Sequence, residues 1–184
     1  HPDLEERIRH QQAFAYFPVE LAPAFRFVQL NRPKQLEKKG FQIGDIKIET
    51  ISLCHPGGAY GYRISHKGKT IVFATDAEYK DLSSDALKLY IDFFHNADLA
   101  IFDAQYALIE NIEKENWGHS NVFTGVDIAL EAGVKKLVFT HHEPTCDDKH
   151  LLENLQKANA YLNTQKCIGD LQLDLAVEGL SIKI

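Results

Sequence analysis

The sequence predicts a layered sandwich of the α/β (α+β) class, on three observations. With 184 residues, the chain is long enough to bury a full hydrophobic core in one domain. Strand-like segments come first, arranged as hairpins, and afterwards alternate with helical segments. No repeat, low-complexity tract or linker divides the chain, so we expect a single domain over residues 1–184.

The first elements are a helix and two strands. Residues 3–16 carry mixed charges with scattered apolar positions, which favours a modest helix. Residues 25–30 alternate in polarity as a strand does, and the turn-prone residues 31–44 follow them. Ile46–Leu53 again alternates apolar and polar side chains, which predicts a half-buried strand.

A hairpin and a helix–strand pair come next. Two short apolar strands, over residues 61–65 and 70–74, flank a predicted turn at residues 66–69. A helix over residues 85–94 begins after a pair of capping serines, and its apolar residues share one face. Leu99–Phe102 is a continuous apolar run, which is typical of a strand covered on both faces.

The last third of the chain alternates helices and strands. A helix capped by Ser120 or Asn121 runs to Ala132, and Gly133 ends it. The remaining elements are a buried strand, a long helix and two closing strands: residues 135–140, a helix from Asp147 or Asp148 to Thr164, residues 173–177 and residues 180–184.

Composition limits the classes of function. With 20 basic and 26 acidic residues the formal net charge is −6, which argues against a long nucleic acid docked across this surface. There is no apolar run of about 18 residues, so we expect no membrane span. The three cysteines (Cys54, Cys146 and Cys167) are odd in number and far apart, which fits reduced thiols and predicts a cytoplasmic location.

Side chains with metal-ligand chemistry follow four predicted strands. His55, Asp76, Asp103 and His141 each lie within two residues after an apolar strand segment. Ligand sites collect at strand ends because strands fix the geometry while loops leave it open. Two imidazoles and a carboxylate suit Zn, Mn or Fe. Each residue alone is equally compatible with a turn, a cap or ordinary packing, so convergence depends on the fold.

Five short motifs occur in a characteristic order: His55–Arg63 (HPGGAYGYR), Phe73–Glu78 (FATDAE), Asp103–Tyr106 (DAQY), Trp117–Ser120 (WGHS) and Phe139–Pro144 (FTHHEP). Through them, residues 51–148 resemble the metallo-β-lactamase superfamily. The branch is that of tRNase Z and cyclic-nucleotide phosphodiesterase-like proteins. The resemblance implies an αββα sandwich.

The resemblance also implies roles for individual residues. His55 would bind a first metal ion, His141 a second, and Asp76 would bridge both and take part in catalysis. His119 would be the catalytic histidine that stabilises or protonates the departing oxygen. Six further residues would support the site or contact substrate: Gly57, Gly58, Arg63, Asp103, Tyr106 and His142.

One element of the superfamily pattern is absent. The motif His-x-His-x-Asp-His, which supplies further metal ligands, is not found in these 184 residues. The chain also begins with His1 and contains no methionine, so we expect it to be the carboxyl-terminal portion of a sandwich that is incomplete on its amino-terminal side. We therefore expect the chain as given to bind metal poorly or only with a partner segment.

For the complete protein, the resemblance implies a metal-dependent hydrolase with two divalent ions, zinc first and Mn or Fe as alternatives. We expect a phosphodiesterase in which a hydroxide between the ions attacks a small phosphodiester such as a cyclic nucleotide. A thioester or lactam substrate stays open, as does a homodimer. The alternative is a catalytically inactive domain of this fold used for binding or dimerisation, which the missing motif favours.

Overall fold

The computed structural model describes residues 4–11, 13, 40–80, 84–165 and 169–184. The described part holds these strands: β1 (Phe41–Ile43), β2 (Ile46–Leu53), β3 (Ala59–His66), β4 (Lys69–Ala74), β5 (Leu99–Asp103), β6 (Lys136–Thr140) and β7 (Gln172–Leu175). Its helices are α1 (Leu4–Gln11), α2 (Ser84–Phe94), α3 (Leu108–Glu113), α4 (Val122–Glu131) and α5 (Asp148–Thr164). The strand predicted at residues 25–30 lies outside the described residues.

The strands form one seven-stranded sheet in chain order, from β1 to β7. Strands β1 to β4 pair antiparallel, and β4 to β7 pair parallel. Parallel neighbours need a crossover connection, and the helices between them supply it. Since β2 and β4 are both antiparallel to β3, strands β2, β4, β5 and β6 all end at the same edge. The predicted mixed α/β class is confirmed.

The hydrophobic core lies where α2, α4 and α5 pack against each other and the sheet. Phe94, Phe102 and Phe139 are among its largest fully buried side chains. Gly125 of α4 lets the helix approach the sheet closely, because a Cβ at this position would lie 2.9 Å from the Phe102 ring.

Two helix starts are fixed by side-chain caps. The side chain of Asn121 accepts hydrogen bonds from the backbone N–H groups of Phe123 and Thr124 at the start of α4. The Asp147 carboxylate accepts from the His150 N–H at the start of α5, at 2.8 Å. Of the two residues proposed for each cap, the structure selects Asn121 and Asp147.

The prediction of a strand over residues 180–184 is wrong. After β7 the chain turns at residues 178–179, where the Leu180 N–H donates to the Val177 carbonyl at 3.1 Å. This turn leaves the alternating apolar residues with no strand of the described part to pair with. Leu180 is 42% exposed, so burial does not hold a strand there either.

Two short elements differ from the sequence expectation. β1 lies in the segment interpreted as turn-prone, and it pairs with β2 through the turn at Gly44, where φ is +60°. α3 has only six residues, too few for its apolar spacing to indicate a helix. Within the described residues, no helix is long and apolar enough to cross a lipid bilayer.

Candidate metal centre

Side chains from four strand ends meet at one edge of the sheet. His55 follows β2, Asp76 follows β4, Asp103 ends β5 and His141 follows β6. These four strands run in the same direction, so loops 21 and 65 residues apart in the sequence converge at this edge. The fold therefore brings the four residues together, which their spacing in the sequence did not determine.

The Asp76 carboxylate lies between two imidazoles. Its Oδ1 is 3.7 Å from His55 Nε2, and its Oδ2 is 3.6 Å from His141 Nδ1. The three side chains are between 24% and 38% exposed, so solvent and small ions reach them. This arrangement, with one carboxylate oxygen facing each histidine, suits a residue that bridges two cations.

Two of these residues adopt an unusual backbone conformation. Asp76 and His141 both have φ of +59°, the left-handed region that side chains with a Cβ rarely occupy. The backbone N–H of Asp76 donates to Asp103 Oδ2 at 2.8 Å, which helps to hold that strained turn. Such strain commonly marks functional sites.

A buried carboxylate orients His119. Asp103 has no exposed surface, and its Oδ2 lies 2.8 Å from His119 Nδ1. Oδ2 also accepts from the Asp76 N–H, while Oδ1 accepts from two further backbone N–H groups, those of Gln105 and Ser120, each at 3.3 Å. With four donors, the carboxylate has its lone pairs occupied. Asp103 therefore holds the Nδ1 side of the His119 ring, and the Nε2 of His119 lies on the side of the ring away from Asp103.

The donor set fits a divalent transition metal. Among the described residues, two groups of three side chains have ligand atoms within 4.8 Å of one another: His55, Asp76 and His119, and Asp103, His119 and His141. Imidazole and carboxylate donors are those that zinc takes. His119 belongs to both groups, whereas His55 and Asp76 belong to the first and His141 to the second, so metal binding by His55, Asp76 and His141 stays a prediction.

The segment of residues 116–118, called the strap below, packs against this cluster. The buried Glu78 carboxylate accepts from the backbone N–H groups of Asn116, at 2.9 Å, and Gly118, at 3.1 Å. A Cβ at Gly118 would lie 2.4 Å from His55 Cδ2. Glu78 lies inside the motif Phe73–Glu78 and Gly118 inside the motif Trp117–Ser120, and these motifs were the only sequence signal for the contact.

Several expected supporting residues lie around the cluster. The buried Tyr106 ring stands edge-on to the His119 ring, with centroids 5.7 Å apart. Gly57 and Gly58 both have φ of +83°, and the Gly58 N–H donates to the His55 carbonyl at 2.9 Å. The two glycines thus form the tight turn that directs His55 to the sheet edge.

His142 follows the cluster residue His141 and is half buried. Burial lowers the pKa of His142 from its ordinary 6.5, and a hydrogen bond with the backbone of Ala176 opposes that effect. Its Nε2 has no hydrogen-bond partner among the described residues. Its expected supporting role stays a prediction.

Arg63 is not brought to the cluster. Its guanidinium donates to the carbonyl of Phe93 at 2.9 Å and lies 3.9 Å from the Glu49 carboxylate. In the β3–β4 register Arg63 stands opposite Val72, before the end of β4 that leads to Asp76. In the structure Arg63 ties β3 to the carboxyl-terminal end of α2, and its expected supporting or substrate role stays a prediction.

A profile of the β-lactamase superfamily domain matches residues 1–142. Two curated relatives are ribonucleases Z. That of Picrophilus torridus is 34% identical over 102 residues, which cover 53% of this chain and 30% of that protein. That of Brevibacillus brevis is 35% identical over 82 residues, covering 45% and 24% respectively. The chain belongs to the metallo-β-lactamase superfamily, and these two relatives support the tRNase Z-like branch that its motifs resemble.

Solved structures show the same fold. The metallo-β-lactamase fold protein YhfI from Bacillus subtilis has a TM-score of 0.62 at 22% identity, covering 97% of this chain and 61% of that one. A diphosphatase from the PhnP family has a TM-score of 0.55 at 17% identity, covering 97% and 55%. Zn²⁺-bound PqqB from Methylobacterium extorquens has a TM-score of 0.53 at 15% identity, covering 77% and 52%.

The matches also indicate the chemistry of the family members. Its members are metal-dependent hydrolases that bind divalent metals such as zinc. The matched segments span less than a third of the length of the two ribonucleases Z. The substrate and the activity of the whole protein are therefore matters for proposal.

Proposed function

We propose that the protein is a metal-dependent phosphodiesterase. The observation that carries the proposal is the Asp76 carboxylate, which faces His55 through one oxygen and His141 through the other. Beside it lies a histidine oriented by a buried carboxylate, the Asp103–His119 pair. A divalent ion held there would lower the pKa of a bound water and neutralise charge on phosphate oxygens.

The chain's own residues divide the remaining work. His55, Asp76 and His141 would hold the metal, and the strained turns at Asp76 and His141 fix the direction of two of them. Asp103 holds one ring nitrogen of His119, so the other can deliver a proton to the leaving oxygen. Such proton transfer contributes about 10²–10⁴-fold to a rate.

The substrate we propose is a nucleotide phosphodiester. That the two curated relatives are ribonucleases supports a ribonucleotide bond. The net charge of −6 favours a short nucleotide substrate over a long nucleic acid. The expected cyclic nucleotide is a small molecule that contains a phosphodiester bond. A homodimer also stays a proposal.

A second candidate function is a binding or dimerisation domain without catalysis. The absence of the His-x-His-x-Asp-His motif from these 184 residues favours it. The polar cluster at the sheet edge argues against it, since a domain free of catalysis has no need to keep such groups together.

Hydrolysis of bis(p-nitrophenyl) phosphate tests the proposal. The full-length protein, supplied with Zn²⁺ or Mn²⁺, should hydrolyse this ester. The Asp76→Ala variant should lose more than the roughly 10- to 100-fold that removal of a supporting residue costs. Asp45→Ala is the matched control. Asp45 lies in the turn before β2, at the opposite end of this strand from His55, and pairs with His66 at 2.8 Å. Equal activity of wild type and Asp76→Ala would rule out the metal-dependent reaction, and an inactive protein that binds no metal would support the binding domain.

A further inference from the structure

An exposed tryptophan stands at the edge of the metal centre. Trp117 is the chain's only tryptophan, and it is 62% exposed. It lies two positions before His119, so the two Cα atoms are no more than about 7.6 Å apart. Tryptophan is enriched at binding interfaces, where its ring supplies a large apolar face and its N–H a polar handle.

The strap that carries Trp117 is held rigidly. Glu78 accepts hydrogen bonds from the residues on both sides of the tryptophan, as described above. The Trp117 N–H itself donates to the Lys114 carbonyl at 3.2 Å. The backbone at Gly118 abuts His55, so the backbone that carries the indole is held beside the metal centre before any ligand binds. Preorganisation of this kind reduces the entropic cost of binding.

An ammonium group links Trp117 to the site. Lys114 Nζ lies 4.4 Å from the centroid of the Tyr106 ring and 5.9 Å from that of the Trp117 ring. Tyr106 in turn contacts the ring of His119. A continuous row of ring and cation contacts therefore leads from the catalytic histidine to the exposed indole.

Carboxylates outnumber ammonium groups around this row. Lys114 Nζ lies 3.4 Å from the Glu143 carboxylate, and Glu110 accepts from the Ala107 N–H at 3.0 Å. Glu113 and Glu115 add further negative charge nearby in the sequence. Such a surface offers a flat apolar face more than it offers charge, which suits an uncharged ring better than a polyanion.

We propose that Trp117 is the platform on which a nucleobase of the substrate stacks while the adjoining phosphate lies at the metal centre. The inference rests on the phosphodiesterase function proposed above and adds a specificity-determining residue to it. Stacking on an aromatic side chain tolerates any base, because every base has a π-face. Trp117 therefore selects nucleotide esters over phosphate esters that lack a base.

Binding of AMP and of ribose 5-phosphate to the full-length, metal-loaded protein tests this role. The two ligands share ribose and phosphate and differ in the base. We expect AMP to bind about tenfold more tightly, in line with base–aromatic stacking. Trp117→Ala should reduce this ratio to about twofold or less, and Trp117→Phe should keep most of it. Val177→Ala, which changes a side chain that is also 62% exposed, should leave the ratio unchanged.

Fluorescence gives an independent measurement. The emission lost between wild type and Trp117→Phe isolates the signal of Trp117, and AMP but not ribose 5-phosphate should quench it. Equal affinity of the wild type for both ligands, or a ratio that survives Trp117→Ala, would overturn the proposal. Binding is measured without turnover, so this result is separate from the hydrolysis test. Absence of a base preference overturns the role of Trp117, whereas retention of activity in Asp76→Ala overturns the proposed phosphodiesterase function.

Discussion

His119 Nδ1 lies 2.8 Å from Oδ2 of Asp103, a carboxylate with no exposed surface. The same oxygen accepts the backbone N–H of Asp76. One buried side chain thus holds both the His119 ring and the turn that carries Asp76. The orientation of an imidazole by a carboxylate is a common device at metal and catalytic sites.

Asp103→Asn should therefore impair catalysis. Asparagine has an NH₂ group in place of one carboxylate oxygen. This NH₂ group cannot accept the hydrogen bonds that the oxygen accepted, so a buried N–H donor is left unpaired. We expect kcat for bis(p-nitrophenyl) phosphate to fall by roughly 10- to 100-fold, as for other supporting residues. Asp98→Asn is the control, since Asp98 is also a buried carboxylate but lies before β5, at the opposite edge of the sheet. An unchanged kcat in Asp103→Asn would contradict the assigned role.

Gly118→Ala should disturb His55. Gly118 has φ of +91°, and a new Cβ would also press against the His55 ring. Gly179→Ala provides the comparison, because Gly179 has φ of +80° and no atom within 4 Å of an added Cβ. Both variants should lose about 1–2 kcal/mol of stability from the left-handed backbone, and Gly118→Ala should lose more. Thermal unfolding measures the loss. Zinc affinity should fall in Gly118→Ala alone, and equal effects of the two variants would count against the contact.

Asp98 should make stability depend on pH in the acid range. The hydrogen bond from Lys135 Nζ, at 2.8 Å, is the main cause that brings the pKa of Asp98 from 3.8 to about 2, against the opposing effect of burial. A folded-state pKa below the unfolded value stabilises the protein above pH 3.8, and this stability is lost as the pH falls towards about 2.

Urea unfolding of wild type and Asp98→Asn at pH 6, 4 and 3 checks this expectation. We expect the variant to be less stable by roughly 1–3 kcal/mol at pH 6, because a charged hydrogen-bond acceptor is lost. The difference should shrink at pH 3. A difference that stays constant over this range would show that ionisation of Asp98 contributes nothing.

Tyr79→Phe should be neutral or stabilising. The Tyr79 hydroxyl is buried without a hydrogen-bond partner among the described residues, and burial raises its pKa well above 10.0. Phenylalanine would keep the stacking on Phe102, whose ring centroid lies 5.2 Å away. Tyr161→Phe should instead lose about 0.5–1.5 kcal/mol, because the Tyr161 hydroxyl donates to Asp127 at 2.8 Å. Thermal unfolding compares the two, and a marked loss in Tyr79→Phe would reveal a partner for its hydroxyl.

The sequence predicted the elements whose pattern is long and strong. β2, β6 and α5 lie within a residue or so of their predicted positions, because alternation or an apolar run and clear caps define them. The short strand β1 and the six-residue helix α3 depend on pairing and packing with distant segments, which local pattern does not contain. The strand predicted at residues 180–184 had the pattern of a strand but no neighbour in the described part.

The sequence indicated that polar residues follow several strands, but it did not contain the distances between them. His55, Asp76 and His141 are separated by many residues, and only the common direction of their strands brings them together. The four hydrogen bonds to Asp103 and the clamp of Glu78 on residues 116–118 need the folded backbone, since most of their donors are main-chain N–H groups. Arg63 shows the converse: a residue inside a motif that the fold directs elsewhere.

Zinc affinity of the full-length protein tests the central claim most directly. A chelator competition assay on the wild type, His55→Ala and His141→Ala, with His66→Ala as a matched histidine outside the cluster, compares like with like. We predict that the two cluster variants bind zinc more weakly by about 100-fold or more, exceeding the effect of a supporting residue, and that His66→Ala binds as the wild type does. Wild-type affinity in both cluster variants would contradict the account.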